Sequence, residues 1–483
     1  MGLSTALFTG MSGLNSTQKW SEITARNIAN SNTEGYVKKT TQFATRSDIS
    51  GGGVYVSEIR REIDSSLDRM YRYETSKMER EQAIFEGIEE YTAILGQPGD
   101  EKSPASKLSA FKSSLLSLVN SPSSTGVQRS VVSAADSAAK TLRDTSYALE
   151  QLQSETVMEI KYEVSDLNEN LYRLAELNRD IMRLNQSPEG SSETLDEIGR
   201  IVDKIASQMN IRTTTGPNGR VNVFTGGGTP LIEDNAINEV SYNVGTGRLT
   251  AGTIDITPHD TSVRGFEHGR MAGLIEVQNN IIPKFQLQLD EMARSMIEGF
   301  QNSDTSLNPT DAGLFTNNGS KLITNPADPL YDPSAFENLA SRIRVNDLVK
   351  PENGGALSRI RDGIGTSANQ GPASNTVQIQ NFLDFFNQTI TVDPDTELPS
   401  DITIETYANN MVASQQTART RAQDEYSSVQ VTAETIRASR EGMQGVNIDE
   451  ELQKLLIIEQ TYAANSQLMK TVANMMDTLI SIA

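Results

Sequence analysis

Residues 445–483 read GVNIDEELQKLLIIEQTYAANSQLMKTVANMMDTLISIA, and this stretch decides the architecture. Asn447 or Asp449 offers a short polar oxygen to the free N–H groups of a first helical turn. Asp449, Glu450 and Glu451 follow where the helix dipole favours negative charge. Apolar residues then recur at steps of four and three: Ile448, Leu452, Leu455, Tyr462, Met469, Ala473, Met476 and Ile480. That spacing predicts a coiled-coil seam. Leu456, Ile458, Leu468, Val472, Met475, Leu479 and Ile482 widen it until the last turns are apolar on most sides. A helix this apolar expects several neighbours, although docking on its own domain is the commoner fate of such a segment.

The first thirty residues carry a weaker version of the pattern. Leu3, Leu7, Leu14 and Ile28 share one register, with Ala6, Met11 and Ala25 beside them. Gly10, Thr17, Ser21 and Thr24 fill the remaining seam positions, so this helix is poor when alone. Ile23-Thr-Ala-Arg-Asn27-Ile28-Ala29-Asn30-Ser-Asn32-Thr33-Glu34-Gly35-Tyr36 reads as its end. Asn30 and Asn32 tolerate turn geometry, and Gly35 permits a sharp reversal before Tyr36.

That Asn27–Tyr36 stretch, with Asn30, Thr33 and Gly35, closely resembles the N-terminal signature of bacterial flagellar axial proteins, the rod, hook and hook-associated group. Val446-Asn447, Glu451-Leu452, Gln460, Tyr462 and Ala464-Asn465 resemble that group's C-terminal signature. In the family the two ends pair as a coiled coil lining the inner tube of a helical assembly. The resemblance therefore implies an assembly interface on Leu3, Leu7, Met11, Leu14, Asn27, Ile28, Asn30, Thr33, Gly35 and Tyr36. At the other end it implies Val446, Asn447, Leu452, Leu455, Tyr462, Asn465, Met469, Val472, Met476 and Leu479.

Between the ends the periods alternate. A helix is predicted over about 65–95, stopped by Gly96-Gln-Pro98-Gly99, and a shorter one carries Leu108, Phe111, Leu115 and Val119. From Ala135 to about Leu184 a heptad-like run without Gly or Pro predicts a rod of about 75 Å at about 1.5 Å per residue. Another helix runs on to Met209. Ile211–Phe224 then reads as two strands about a turn at Pro217-Asn218-Gly219, with further strands at Val240–Val244 and Ile254–Ile256. Helical spacing returns from Met271 to Phe300 and over about 402–443. Residues 303–400 are mixed, with strands expected near Lys321–Thr324 and Arg342–Val345 and a short helix at Phe382–Phe386.

The expected fold class is α+β, elongated and multidomain: a terminal coiled-coil pair, a long helical bundle and inserted β-rich parts. The expected divisions are 1–50 with 446–483, then 51–209 with 269–302 and 401–445, then 210–268 with 303–400.

The chain has 483 residues, too many for one core. Its 42 basic and 63 acidic residues give a net charge of −21, which disfavours nucleic acid. It has no cysteine, so neither disulfides nor thiolate chemistry is expected. No apolar run is long enough to insert in a membrane, and the N-terminus lacks the flanks of a cleaved signal peptide. His259 and His268 have no Cys partners for zinc. Ser109-Ala-Phe-Lys112 lacks the companion motifs of β-lactamase-like enzymes. Gly51-Gly52-Gly53 and Gly226-Gly227-Gly228 lack the Lys-Ser/Thr of a phosphate loop, and Asp393-Pro-Asp395-Thr-Glu397 lacks the spacing of an EF-hand. No nucleophile, base and orienting group assemble. The reading is a non-enzyme with no cofactor and no metal.

Within the family, Gly269–Glu276, Ile282-Pro283, Leu289–Ala293 and Gly313-Leu314-Phe315 resemble the hook-filament junction subgroup. That resemblance implies an extracellular flagellar protein, exported without a cleaved signal peptide and self-assembling in a ring or helical layer. Hook protein would lie below it, and a second junction protein and filament subunits above. A cytosolic export chaperone would cover the C-terminal helix before export. The terminal helices would order only against neighbours, so proteolysis of the monomer should trim both ends. The alternatives are another axial protein (hook or distal rod), or a secreted coiled-coil adhesin or effector.

Overall fold

A computed structural model describes residues 2–45, 52–184, 191–216, 219–234, 236–258 and 264–482. In chain order the first elements are helix α1 (Leu3–Ala29), strands β1 (Lys39–Thr45) and β2 (Val54–Arg61), and helices α2 (Ser65–Leu95), α3 (Pro104–Asn120), α4 (Thr125–Leu184) and α5 (Ser191–Gln208). Seven strands follow: β3 (Ile211–Thr215), β4 (Val221–Thr225), β5 (Pro230–Glu233), β6 (Ala236–Ile237), β7 (Val240–Asn243), β8 (Arg248–Ala251) and β9 (Ile254–Asp255). Helices α6 (Arg270–Glu276) and α7 (Ile282–Asn302) lead to β10 (Phe315–Asn317), α8 (Leu339–Arg342), β11 (Ile343–Val345), α9 (Arg359–Asp362) and α10 (Val377–Phe385). Strands β12 (Thr389–Ile390) and β13 (Ile402–Thr403) precede α11 (Ile404–Gln444) and α12 (Ile448–Ile482). This is the mixed α+β composition expected from the alternating periods.

The boundaries follow local chemistry. Helix α3 starts where the Ser103 side chain accepts from Ser106 N at 3.2 Å, with Pro104 in the first turn. Helix α2 ends at Gly96, whose φ of +76° suits glycine. Helix α4 starts at Thr125, ten residues before the expected Ala135 (135 − 125), because Ser124 Oγ caps it directly after the Pro122 turn. Between α6 and α7 the chain makes one π turn, Val277–Ile281, with Ile282 N donating to Val277 O. Pro283, with no N–H to offer Asn279, favours that wider turn.

The expected strand at Lys321–Thr324 does not form. The Asn318-Gly319 turn, with φ of +50° and +89°, reverses the chain, and Phe315–Asn317 takes the edge of Ile343–Val345 instead. Two residues of the expected turn, Pro217 and Asn218, lie outside the described residues, as do Gly51 and His259.

The chain divides into two compact units, Met1–Arg80, Tyr162–Ala272 and Ser427–Ala483 in one, and Glu81–Lys161 and Gly273–Tyr426 in the other. The second unit has one apolar core. Leu108, Phe111 and Leu115 of α3, Leu142 and Leu149 of α4, Leu289 and Phe300 of α7, and Ile404, Tyr407 and Met411 of α11 are all buried in it. Phe300 stands amid Phe111, Phe315, Phe382, Phe385 and Phe386, its ring centroid 5.2–5.7 Å from each. A buried polar chain crosses this core: Tyr91 donates to Gln415, Gln415 to Gln288, and Tyr407 to the Gln288 carbonyl. Strands in 303–400 are two or three residues long.

In the first unit, β3–β6 form one antiparallel sheet and β7–β9 another. Asn178 of α4 clamps Val221 of β4 through both its N–H and its C=O, and Asn168 clamps Val240 of β7 in the same way. Arg440 joins three helices, bonding Asp68 of α2 at 2.7 Å and Asp203 of α5 at 2.8 Å while lying over the Tyr71 ring. These bonds fix the base on which the chain termini meet.

Candidate assembly interface

Helix α12 is capped by Asn447, whose Oδ1 accepts from Asp449 N at 3.0 Å and Glu450 N at 3.4 Å. It packs antiparallel on α1. A Cβ on Gly10 would lie 2.8 Å from the Met469 sulfur, and one on Gly13 would lie 3.0 Å from the Asn465 amide. Nearer the other end, Asn27 meets Glu451. Small residues on α1 (Gly10, Gly13, Ser16, Thr17 and Thr24, all buried) let the two backbones approach closely. The β1–β2 hairpin flanks the pair: Ser16 Oγ donates to Val54 O, and Trp20 meets Phe43 edge to face at 5.7 Å.

Asn27 is the polar centre of this arrangement and is 1% exposed. Its Oδ1 accepts from Lys39 N at 3.1 Å and from Tyr36 OH at 2.9 Å. Its Nδ2 donates to Lys39 O at 2.9 Å and to Glu451 Oε2 at 3.0 Å. The full capacity of the amide is thereby used. Glu451, wholly buried, also receives Lys454 at 2.6 Å. Beside them Asp196 of α5 pairs with Lys39 at 3.1 Å and Arg61 at 2.7 Å. Burial first, and the Asp196 carboxylate second, push the Tyr36 hydroxyl up to about 12, so it stays a donor. Gly35 turns the chain with φ of +71°, and a Cβ there would lie 2.3 Å from Arg200 Cγ.

The side of α12 that faces the chain only partly matches the one its apolar spacing suggests. Glu451, Ile458 and Val472 are buried, and Leu455, Asn465, Met469 and Met476 are half-buried on the same side. Ile448, Leu452, Tyr462 and Ile480, expected in the seam, are exposed, as is Leu479. On α1, Leu3, Leu7, Leu14 and Ile28 are half-buried and Met11 exposed. Asn30, Tyr36 and Val446 are half-buried, while Thr33, Gly35 and Asn447 are exposed. Burying glycine, threonine and asparagine against α12 leaves its larger apolar residues outside. Ile457, Leu468, Met475, Leu479 and Ile482, from 43% to 78% exposed, form a second stripe. Their separations of 11, 7, 4 and 3 residues keep one helical face.

Comparison with known proteins converges on these residues. Residues 89–307 match the family described as the flagellar hook-associated protein FlgK helical domain. Residues 7–36 match the flagella basal body rod protein family, and 442–482 the flagellar basal body rod FlgEFG protein C-terminal family. The two terminal matches contain Asn27, Tyr36 and Glu451. Flagellar hook-associated protein 1 of Salmonella typhimurium is 20% identical over 98% of either chain, and that of Bacillus subtilis 22% identical over 100% of this chain and 98% of its own. The chain is similar to the FlgK family of flagellar hook-associated proteins. The flagellar hook junction protein FlgK of Burkholderia pseudomallei superposes with a TM-score of 0.43 at 18% identity, covering 51% of this chain and 46% of that one.

Most of the residues singled out for chemistry are held in local structure. His268 N donates to Asn210 Oδ1, and its ring meets Tyr73 at 5.4 Å. Lys112 pairs with Glu405 at 2.5 Å, while Ser109 is exposed. Asp393 caps its own turn by accepting from Asp395 N. Gly226 sits where a Cβ would meet Asn210 at 2.3 Å, a tight turn. Among the described residues no cluster of His, Cys, Asp or Glu is placed to hold a metal, and no helix is long and apolar enough to cross a membrane.

Proposed function

We infer that this chain is a structural component of the bacterial flagellum that acts as the junction between hook and filament. The observation that carries the reading is the second apolar stripe of α12, Ile457 to Ile482, left open beside a fully bonded α1–α12 pair. Such a stripe has the spacing of a helix–helix seam and is covered when another helix lies along it.

The terminal pair, 1–50 with 446–483, serves as the assembly domain, and a layer of copies forms when each α12 stripe meets a neighbour's terminal helices. Hook protein forms the layer below, and a second junction protein and the filament subunits lie above. Before export the same stripe suits the groove of a cytosolic chaperone. Export proceeds without a cleaved signal peptide, and the protein ends outside the cell as part of the flagellum. The role is mechanical, and no reaction is assigned to it.

Deleting the gene in the native bacterium tests this directly. Electron microscopy should show hooks without filaments, with filament protein lost to the medium. Missing hooks would move the chain to a rod or hook role, and normal filaments would overturn the reading.

A further inference from the structure

Arg143 of α4 and Arg344 of β11 line one cavity of about 480 Å³ in the second compact unit, which does not contain the terminal helices. Its walls also carry Asp136, Asp347 and Lys350, and Val345 is the one apolar residue among those that line it. Of the two carboxylates, only Asp136 is matched by a cation. Asp136 receives Lys350 Nζ at 2.7 Å, and Asp347 accepts from Asn353 Nδ2 at 2.7 Å. Arg143 donates from Nη1 to the Ile343 carbonyl at 2.6 Å, which anchors its guanidinium without neutralising it. Neither arginine has a carboxylate partner among the described residues. The three cations and two carboxylates of the lining leave it with one net positive charge, in a chain of net charge −21.

The hollow has the size of a small-ligand site, and its lining is too polar for an apolar guest. Planar guanidinium forks match oxyanions with paired hydrogen bonds, and two of them line this hollow. We propose that this cavity binds a phosphate monoester, with Arg344 as the chief recognition residue and Arg143 as its fixed counterpart. The phosphate comes from a soluble sugar phosphate or from a lipid headgroup. The site is independent of the assembly role of the termini.

Calorimetric titration of the full chain with inorganic phosphate at constant ionic strength tests the site. Saturable binding is expected, weakened at least tenfold by Arg344→Gln. Arg344 is exposed, so this change leaves the core intact. Arg129→Gln, an exposed change of equal charge on the same helix but outside the cavity, should leave binding unaltered. Asp136→Asn releases Lys350 and should tighten binding severalfold. Glucose 6-phosphate binding more tightly than inorganic phosphate would assign the soluble source. Arg344-dependent capture on phosphatidic acid vesicles would assign the headgroup. Absence of saturable phosphate binding, or equal losses in Arg344→Gln and Arg129→Gln, would overturn the proposal.

Discussion

Asn27 donates to Glu451 at 3.0 Å across a separation of 424 residues, so one buried hydrogen bond ties the two ends of the chain together. The same amide bonds Tyr36 and both backbone groups of Lys39. Asn27→Ala leaves several buried groups unpaired and should cost about 2–4 kcal/mol, each such group being worth about 1–3 and the losses not adding fully. Hydrogen exchange should quicken in α1 and α12 together. Asn27→Asp should be worse at neutral pH, because it sets a second carboxylate against Glu451, and should approach Asn27→Ala in acid. Equal behaviour of the two variants across pH would refute the electrostatic part.

The periodicity of the sequence makes the helices legible, and α2 spans the expected 65–95, while α4 starts ten residues before the expected Ala135. What it hid was the phase of α12. Apolar spacing put Ile448, Leu452 and Tyr462 in the seam, yet the buried side carries Glu451 and half of Asn465. Two apolar stripes run along this helix, and periodicity alone cannot say which faces inward. The choice is made by α1, whose glycines and threonines admit close backbones and whose Asn27 demands an acceptor. The signal was present in the low apolarity of Gly10, Thr17, Thr24 and Asn27, which marks a close-packed contact with a polar bond in it. Likewise Lys321–Thr324 has strand-like residues, yet Phe315–Asn317 pairs with Ile343–Val345 instead, a choice set by residues 315–345 together.

Close approach predicts a steric result. Gly13→Leu drives a side chain into Asn465 and should part α1 from α12, seen as loss of protection from proteolysis in residues 3–29 and 448–482. Gly35→Ala combines a φ of +71° with a 2.3 Å clash against Arg200. A cost of about 1–3 kcal/mol is expected for such a strained residue, read as a fall in the unfolding midpoint. An unchanged midpoint would contradict the tight turn.

Asp290 predicts a pH dependence in the second unit. Burial raises its carboxyl from 3.8 to about 7, against the opposing pull of hydrogen bonds from Ala340 N, Gln286 and Asn338 N. The folded chain then holds a proton that the unfolded chain has released. The resulting stability is complete below pH 3.8, declines as pH rises through about 7, and is flat above. Asp290→Asn should lack this decline, amounting to a few kcal/mol on the order of magnitude set by the shift. Unfolding curves for both chains between pH 4 and 8 that run parallel would rule it out.

Proteolysis separates docked from overhanging residues. Ile480 and Ile482 are 75% and 78% exposed, so soluble chain should lose its last turn first. The bonded segment around Asn27 and Glu451 should survive longer. Simultaneous loss of both whole helices would mean that the pair does not hold in the monomer.

The most direct measurement is electron microscopy of cells in which this chain is replaced by Met475→Glu/Leu479→Glu. Both side chains are exposed on α12, so the monomer should keep its unfolding midpoint while the second seam is spoiled. Hooks bearing no filaments, with the variant exported and filament protein in the medium, are the predicted result. Full-length filaments on cells carrying only the double variant would contradict the account.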